Sequence, residues 1–415
     1  MADFRRWLKQ LRLGAYVAAI EAARGAFEYS RKASVVALAL LATAVAAGDA
    51  AAEPGVSKDK VMFGQSAAFQ GPAAALGVGV REGILAAFLE ANASGGVHGR
   101  RLELIAYDDG YEPTRAIENT KKLIQDDQVF ALVGEVGTPT SKAVQPIATA
   151  AGVPFIGPFT GAAFLRDPGL RNVINIRASY DQETEAWIRY LVDELGLTRV
   201  AILYQDDSFG RAGLSGVVRA LDRRAMALVA EGTYMRNTTA IKTAFLAIRR
   251  GEPQAVVMVG AYKPCAAFIR LARRFDLDAL FVNISFVGSK ALAKELGGDG
   301  AGVIVTQVVP LPDDRAIPLV ARYRDALLAS SPDTPPGFVS LEGYLIGLLV
   351  VAALRETGPD VTREGLLAAI YEVGTFDFGG VTLSYGPGDN QGMDRVFPTV
   401  IGSDGRFGRL GATDP

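Results

Sequence analysis

Thr138 and Thr160 are the side chains of this sequence best placed to do chemistry, and the chemistry they suit is the holding of an anion. Both lie in ALVGEVGTPTSKAVQPIATAAGVPFIGPFT, residues 131–160, where an apolar strand ends in a Gly-rich turn, a helix opens and a second strand follows. The pattern predicts Thr138 as the N-cap and Pro139 as the first helical residue. The helix then starts with unpaired backbone N–H groups and the positive end of its dipole facing outward, which favours a carboxylate. The second strand, residues 154–157, runs into Pro158, Phe159, Thr160 and Gly161, adding another hydroxyl, an aromatic face and bare backbone. Ligands of open α/β sheets sit at such an edge. The competing reading makes Thr138 a cap and nothing more, worth about 1 kcal/mol.

The other reactive groups read as structural. Asp108 with Asp109, and Asp206 with Asp207, each fall at a strand-to-helix turn, where Asp is favoured for capping backbone N–H groups. His98, the one histidine, lies in the turn GGVHGR, and Cys265, the one cysteine, has no histidine in its own half of the chain to act as a base. Together they exclude an intramolecular disulfide and a Cys/His zinc cluster. The glycines of GVGVREG, residues 77–83, recur at intervals of two and four, the wrong spacing for a dinucleotide loop. With no H-E-x-x-H, P-loop or nucleophile elbow, the chain is expected not to be an enzyme and to need no cofactor or metal. A net charge of −2 leaves no electrostatic footprint for nucleic acid.

The elements that must position these residues alternate between strand and helix. A length of 415 residues, 49% hydrophobic and 21% charged, suits two α/β lobes. Strand 60–67, helix 77–93, strand 101–108 and helix 113–126 lead into the strand-helix-strand of residues 131–160, a doubly wound parallel series. A second series follows residue 180: helix 182–195, strand 200–204, a helix from 208, strand 227–232, helix 239–249, strand 255–259, helix 264–275, and strands 280–284 and 302–308. Helices 317–328, 338–355 and 363–371 are too few to close a core of their own, so they are expected to return to the first lobe. The strand-like segments VTLSY and VFPTVI then finish the second lobe. The resulting lobes are 58–178 with 309–375 and 179–308 with 376–415, joined by three crossovers near residues 178, 308 and 376.

Ahead of these, residues 33–47 form an uncharged apolar run followed by GDAAA, the pattern of an export signal with a long basic leader. Cleavage is expected at Ala50-Ala51-Ala52, so residues 1–52 are a signal peptide and the exported chain starts near Glu53. A start near residue 30 would explain the odd leader. The run is shorter than the roughly 20 residues needed to span a bilayer. FVSLEGYLIGLLVVAAL, residues 338–354, carries Glu342 and reads as a buried core helix instead.

KVMFGQSAAFQGPAAALG, GGVHGRRLELIAYDDGYEP, VGEVGTPTS, VPFIGPFTGAAFLR, VAILYQDDSFGRAG, PQAVVMVGAYKP and FDFGGVTLSYGPGDNQG occur in this order along the chain. In that order and spacing they resemble the type I periplasmic solute-binding proteins, of the leucine/isoleucine/valine-binding branch. The resemblance implies a Venus-flytrap of two lobes that closes over a small molecule and delivers it to a membrane ABC permease, as a soluble periplasmic monomer. It places Thr138 at the hydroxyl for a ligand carboxylate, and Thr160 and Gly161 on the second carboxylate-contacting loop. Leu76 falls on the pocket wall, with Phe69 and Gln70 in the adjoining loop. Phe209 and Tyr262 fall where aromatic rings are presented from the second lobe. Ser285 falls where amino-acid binders put an acid for the ammonium.

Hinge closure is the mechanism this implies: ligand meets the Thr138 and Thr160 edge, and the second lobe swings to add Phe209, Tyr262 and Ser285. A neutral hydroxyl at 285 cannot balance an ammonium. Either Glu135, Asp181, Asp206 or Asp207 reaches the site, or the ligand is a carboxylate or amide without an α-amino group, its apolar part between Leu76, Phe159, Phe209 and Tyr262. Two other functions fit the same fold. One is a sensor of amides or urea that reports to a regulator; the other is an exported scaffold with a dead cleft.

Overall fold

The computed structural model describes Val17, Ala19, residues 21–27 and residues 53–411. The chain divides into two units between Ala52 and Glu53. In the first unit residues 21–27 are helical and exposed. The expected export signal at 33–47 and its cleavage site lie outside the described residues.

The second unit is built on two parallel sheets. In the first, β1 (Lys60–Ala67), β2 (Arg101–Asp108), β3 (Ala131–Val133), β4 (Phe155–Ile156) and β5 (Val173–Ile174) run in the order β2-β1-β3-β4-β5. Helices α1 (Ala74–Ala93), α2 (Pro113–Gln125) and α3 (Thr138–Ala150) make the crossovers. In the second, β6 (Val200–Gln205), β7 (Ala230–Tyr234), β8 (Ala255–Val259), β9 (Leu280–Asn283) and β10 (Ile304–Gln307) repeat that winding, as β7-β6-β8-β9-β10. Helix α4 (Tyr180–Ile188) leads into β6, and α5 (Ser208–Asp222), α6 (Lys242–Arg250), α7 (Tyr262–Arg274) and α8 (Ser289–Leu296) link the strands. The central strands β3, β6 and β8 are buried along their whole length, which is why they read as unbroken apolar runs.

Beyond β10 the chain goes back to the first sheet. Helix α9 (Pro318–Ser330) and α10 (Phe338–Glu356) pack on α1, and α11 (Arg363–Val373) packs on α10. Of the described helices α10 alone is long and apolar enough to cross a membrane, but 83% of its most apolar window is buried inside the protein. It is a core helix. A two-stranded ribbon, β11 (Thr375–Asp377) and β12 (Thr382–Ser384), comes next. Residues 390–392 then run beside Asn175, with the Asn175 N–H on the Asn390 carbonyl at 2.8 Å and the Gly392 N–H on the Asn175 carbonyl at 2.9 Å. Strands β13 (Phe397–Ile401) and β14 (Phe407–Arg409) add antiparallel to β10 and complete the second sheet.

Some boundaries differ from the sequence expectation for local reasons. Helix α4 starts at Tyr180, not 182, because Ser179 and Gln182 form a capping box. Its continuation over Arg189–Glu194 is π-helical. Strand β7 lies at Ala230–Tyr234, three residues beyond the expected start, because it is an edge strand with an alternating burial pattern and no apolar run.

Candidate functional site

The switch point of each sheet, where the strand order reverses, lies between β1 and β3 in the first and between β6 and β8 in the second. Ligands of doubly wound sheets bind outside the carboxyl ends of strands at such points. Thr138 opens α3 just after β3, and Phe159 and Thr160 lie in the loop after β4; Phe209 and Tyr262 lie in the first turns of α5 and α7, after β6 and β8, and Ser285 opens a 3-10 turn after β9. Side chains that follow strands of the two sheets touch, the Phe286 ring lying against Phe159 and Tyr111.

On the first-lobe face the hydroxyls of Thr138 and Thr160 lie 2.6 Å apart, and Thr160 donates to the Tyr180 hydroxyl at 3.3 Å. All three residues are buried. Thr138 is not the N-cap. That place belongs to Gly137, at φ +107°, and Thr138 is the first helical residue, with no capping bond from its side chain. Its hydroxyl meets Thr160 and Tyr180 instead. Gly161 is required by close approach: a Cβ there would stand 2.6 Å from the Tyr180 ring.

An aromatic wall joins the lobes. The Phe286 ring lies 4.6 Å from Phe209, 5.6 Å from Phe159 and 6.0 Å from Tyr111, and Phe209 lies 5.6 Å from Tyr180. Leu76 and Tyr262 are buried and both border Gly288. Gln70 is exposed at the rim, its N–H on Asp108 Oδ1 at 3.2 Å, outside this buried set.

None of the four acids proposed as substitutes for an acid at 285 occupies that place. Asp181 pairs with Arg219, Asp206 pairs with Arg211 at 2.6 Å, and Asp207 caps α5 through the Phe209 N–H at 2.9 Å. Glu135 is buried behind the sheet edge, accepting the Ser66 N–H at 3.0 Å. A fifth acid does so instead. Glu183, fully buried on α4, accepts from Ser285 Oγ at 2.8 Å, the Ser285 N–H at 2.9 Å and Thr306 Oγ1 at 2.6 Å. Burial pushes its carboxyl above the ordinary value, while Arg177 and these donors pull it back. Arg177 is itself engaged with Glu342 on α10, Nη2 and Nε each lying 2.9 Å from a carboxylate oxygen, and it stacks on Phe159 at 4.4 Å.

Glu183, Tyr180, Tyr111, Phe286 and Arg177 were absent from the sequence expectation. The Ser-x-x-Gln capping signature at 179–182 marks the helix start that carries two of them. Three of the paired aspartates hold backbone N–H groups, as expected: Asp109 Oδ1 accepts the Tyr111 N–H at 2.7 Å, Asp108 Oδ1 the Phe69 N–H at 2.7 Å and Asp207 Oδ1 the Phe209 N–H at 2.9 Å, whereas Asp206 pairs with Arg211 instead. Cys265 is buried, and burial raises its thiol far above the reactive range.

Residues 60–406 match the family model described as "Periplasmic binding protein". A Leu/Ile/Val-binding protein of Rhizobium johnstonii is 26% identical over 322 residues, covering 75% of this chain and 83% of that protein. The crystal structure of a possible leucine/isoleucine/valine-binding protein from Rhodopirellula baltica superposes with a TM-score of 0.81 at 40% identity, covering 88% of this chain and 98% of that one. A solute-binding protein of an ABC transporter from R. palustris, solved with benzoate, shares the fold at a TM-score of 0.75 and 21% identity, covering 85% and 96%.

Proposed function

This chain belongs to the periplasmic binding protein family, and from that premise we propose that it is an exported solute-binding protein that captures a small amino acid by hinge closure and hands it to an ABC permease. Residues 58–178 with 309–375 are the half that receives ligand first. Residues 179–308 with 376–415 are the half that swings, with the ribbon and the segment beside Asn175 at the hinge. Closure is favoured because a ligand touching both faces binds the closed form more tightly.

One observation carries the choice of an amino acid over a plain carboxylate or amide: Glu183 supplies at Ser285 the negative charge that residue 285 itself lacks. Arg177 pairs with Glu342 and also acts on Glu183, as Arg166 does; a ligand ammonium beside Ser285 adds to them in holding Glu183 ionised. The hydroxyls of Thr138, Thr160 and Tyr180 suit the carboxylate. Phe159, Phe209, Phe286, Leu76 and Tyr262 suit an apolar side chain. The names of the Rhizobium relative and the Rhodopirellula neighbour support this reading.

The test is a titration of the exported chain, in which Trp187 is the one remaining tryptophan. Its indole N–H donates to Thr306 Oγ1 at 3.0 Å, one bond from Glu183. Leucine is expected to change the emission and raise the melting temperature, and 4-methylpentanoate and benzoate to do so far less. Glu183→Gln is expected to weaken leucine about 10- to 150-fold, the loss of a charge-assisted hydrogen bond. Equal or tighter binding of the two acids would return the site to a carboxylate or amide ligand.

A further inference from the structure

The loops after β2 and β7 meet across the cleft, on the side away from the crossovers. In each sheet these are edge strands, whereas the crossovers at residues 175–179 and 308–317 leave from β5 and β10. Arg236, after β7, donates through Nη2 to Glu112 Oε2 at 2.8 Å, and Glu112 follows β2. Asn237 Nδ2 lies 2.7 Å from Glu112 Oε1 and 3.0 Å from the Gly110 carbonyl. Both oxygens of Glu112 thus accept from the other lobe.

The second-lobe side of this contact is built before the lobes meet. Arg236 Nη1 donates at 3.0 Å to Asp207, an acid of its own lobe that also accepts from Gln205 Nε2 at 2.7 Å. Asn237 sits at φ +60°, a left-handed conformation that Asn tolerates better than most residues. On the first lobe Tyr111 is also left-handed, at φ +64°, with Asp109 holding its N–H. Neither loop has to reorganise for the ion pair to form. Four strand spacings of about 4.8 Å separate β2 from β5, so an opening of about 10° parts the loops by roughly 3 Å and breaks the pair. Its formation is therefore tied to closure.

We propose that Glu112 and Arg236 form a latch that holds a fraction of the protein closed before any ligand enters, and so raises ligand affinity without touching ligand. The competent fraction scales the apparent dissociation constant. The inference rests on the hinge closure proposed above, but its test needs no ligand and no knowledge of ligand identity.

Spin labels at Lys121→Cys and Lys242→Cys, both exposed and one on each lobe, report the interlobe distance by pulsed electron resonance. Cys265 is buried and stays unlabelled. At low salt the ligand-free protein is expected to show a closed and an open distance. Glu112→Gln leaves Arg236 folded on Asp207 and removes only the charge across the cleft. It is expected to lower the closed-to-open ratio about 5- to 20-fold, the span between an exposed ion pair and a charge-assisted hydrogen bond. Arg236→Gln should act alike. About 1 M salt, where the Debye length is near 3 Å, should shift the parent in the same direction and Glu112→Gln much less. Glu112 is 42% exposed, so the variant should keep the parent's melting temperature. Identical distance distributions for parent and Glu112→Gln, or a parent that shows only the open distance, would overturn the latch. If leucine, 4-methylpentanoate and benzoate all fail to bind while the two distances respond as described, the ligand reading falls and the latch stands.

Discussion

Thr138 shows how one residue's role divides between local structure and site. Its sequence context reads as an N-cap, yet the cap is Gly137 and the hydroxyl faces Thr160. A capping Thr→Ala change costs about 1 kcal/mol of stability, and loss of a hydrogen bond to a ligand carboxylate costs about 1.5 to 3 kcal/mol of binding. Thr138→Ala is therefore expected to weaken leucine about 10- to 150-fold. The unfolding free energy in urea should drop by only about 1 kcal/mol, for the lost bond to Thr160. Unchanged affinity in a folded variant would leave Thr138 a structural residue. Glu183 was not legible in the same way. In sequence it is one of two acids in the first turn of a helix, alongside Asp181, and acids are common there because of the dipole. Its partners Ser285 and Thr306 lie 102 and 123 residues away, a distance no local pattern spans. Phe286 and Tyr111 escaped for the same reason: an aromatic just past a strand end has no mark that it faces another lobe.

At the scale of elements, the sheets were legible wherever burial on both faces made a strand uniformly apolar, as in AVVMV of β8. They were less so at the edges, where β7 reads AEGTY. Helix α10 was legible as a core helix from Glu342 within its apolar run, and its packing explains the glycines. A Cβ at Gly343 would stand 2.2 Å from the Val80 carbonyl of α1, and one at Gly83 would stand 2.1 Å from the Ser340 carbonyl of α10. The two helices thus cross backbone to backbone, with no side chain at the crossing able to yield. Gly343→Ala gains about 1 kcal/mol of helix propensity but forces the helices apart. Overpacking of this kind costs about 1 to 3 kcal/mol and more against rigid backbone. The expected net is a loss of about 2 kcal/mol or more in urea unfolding. A variant as stable as the parent would show that the helices separate freely.

At the scale of the whole molecule, the order of elements decides what can fold alone. Helix α1, early in the chain, packs against α9 and α10, which follow the five parallel strands of the second sheet. A fragment of residues 53–308 contains all five strands of the first sheet and the five parallel strands of the second, and lacks only the antiparallel pair β13 and β14. It lacks the fifteen buried residues of α10, among them Leu341, Tyr344, Leu345, Ile346, Leu349 and Leu354. Ten of those fifteen are large and apolar, and burying each contributes about 1.5 kcal/mol or more. Their summed loss, about 15 kcal/mol, matches or exceeds the net stability of 5 to 15 kcal/mol usual for a domain. The fragment would also uncover the Gly83 and Ala87 face of α1, which α10 covers in the whole chain, while the Val80 and Ile84 side chains stay turned toward Gly134 of the first sheet. Residues 53–308 are therefore expected to show no cooperative thermal transition by circular dichroism. Adding residues 309–415 as a separate chain should restore one, because the missing pieces pack non-covalently. A sharp transition in 53–308 alone would mean that the first sheet and its own three helices suffice, and that the C-terminal helices serve the hinge without completing the core.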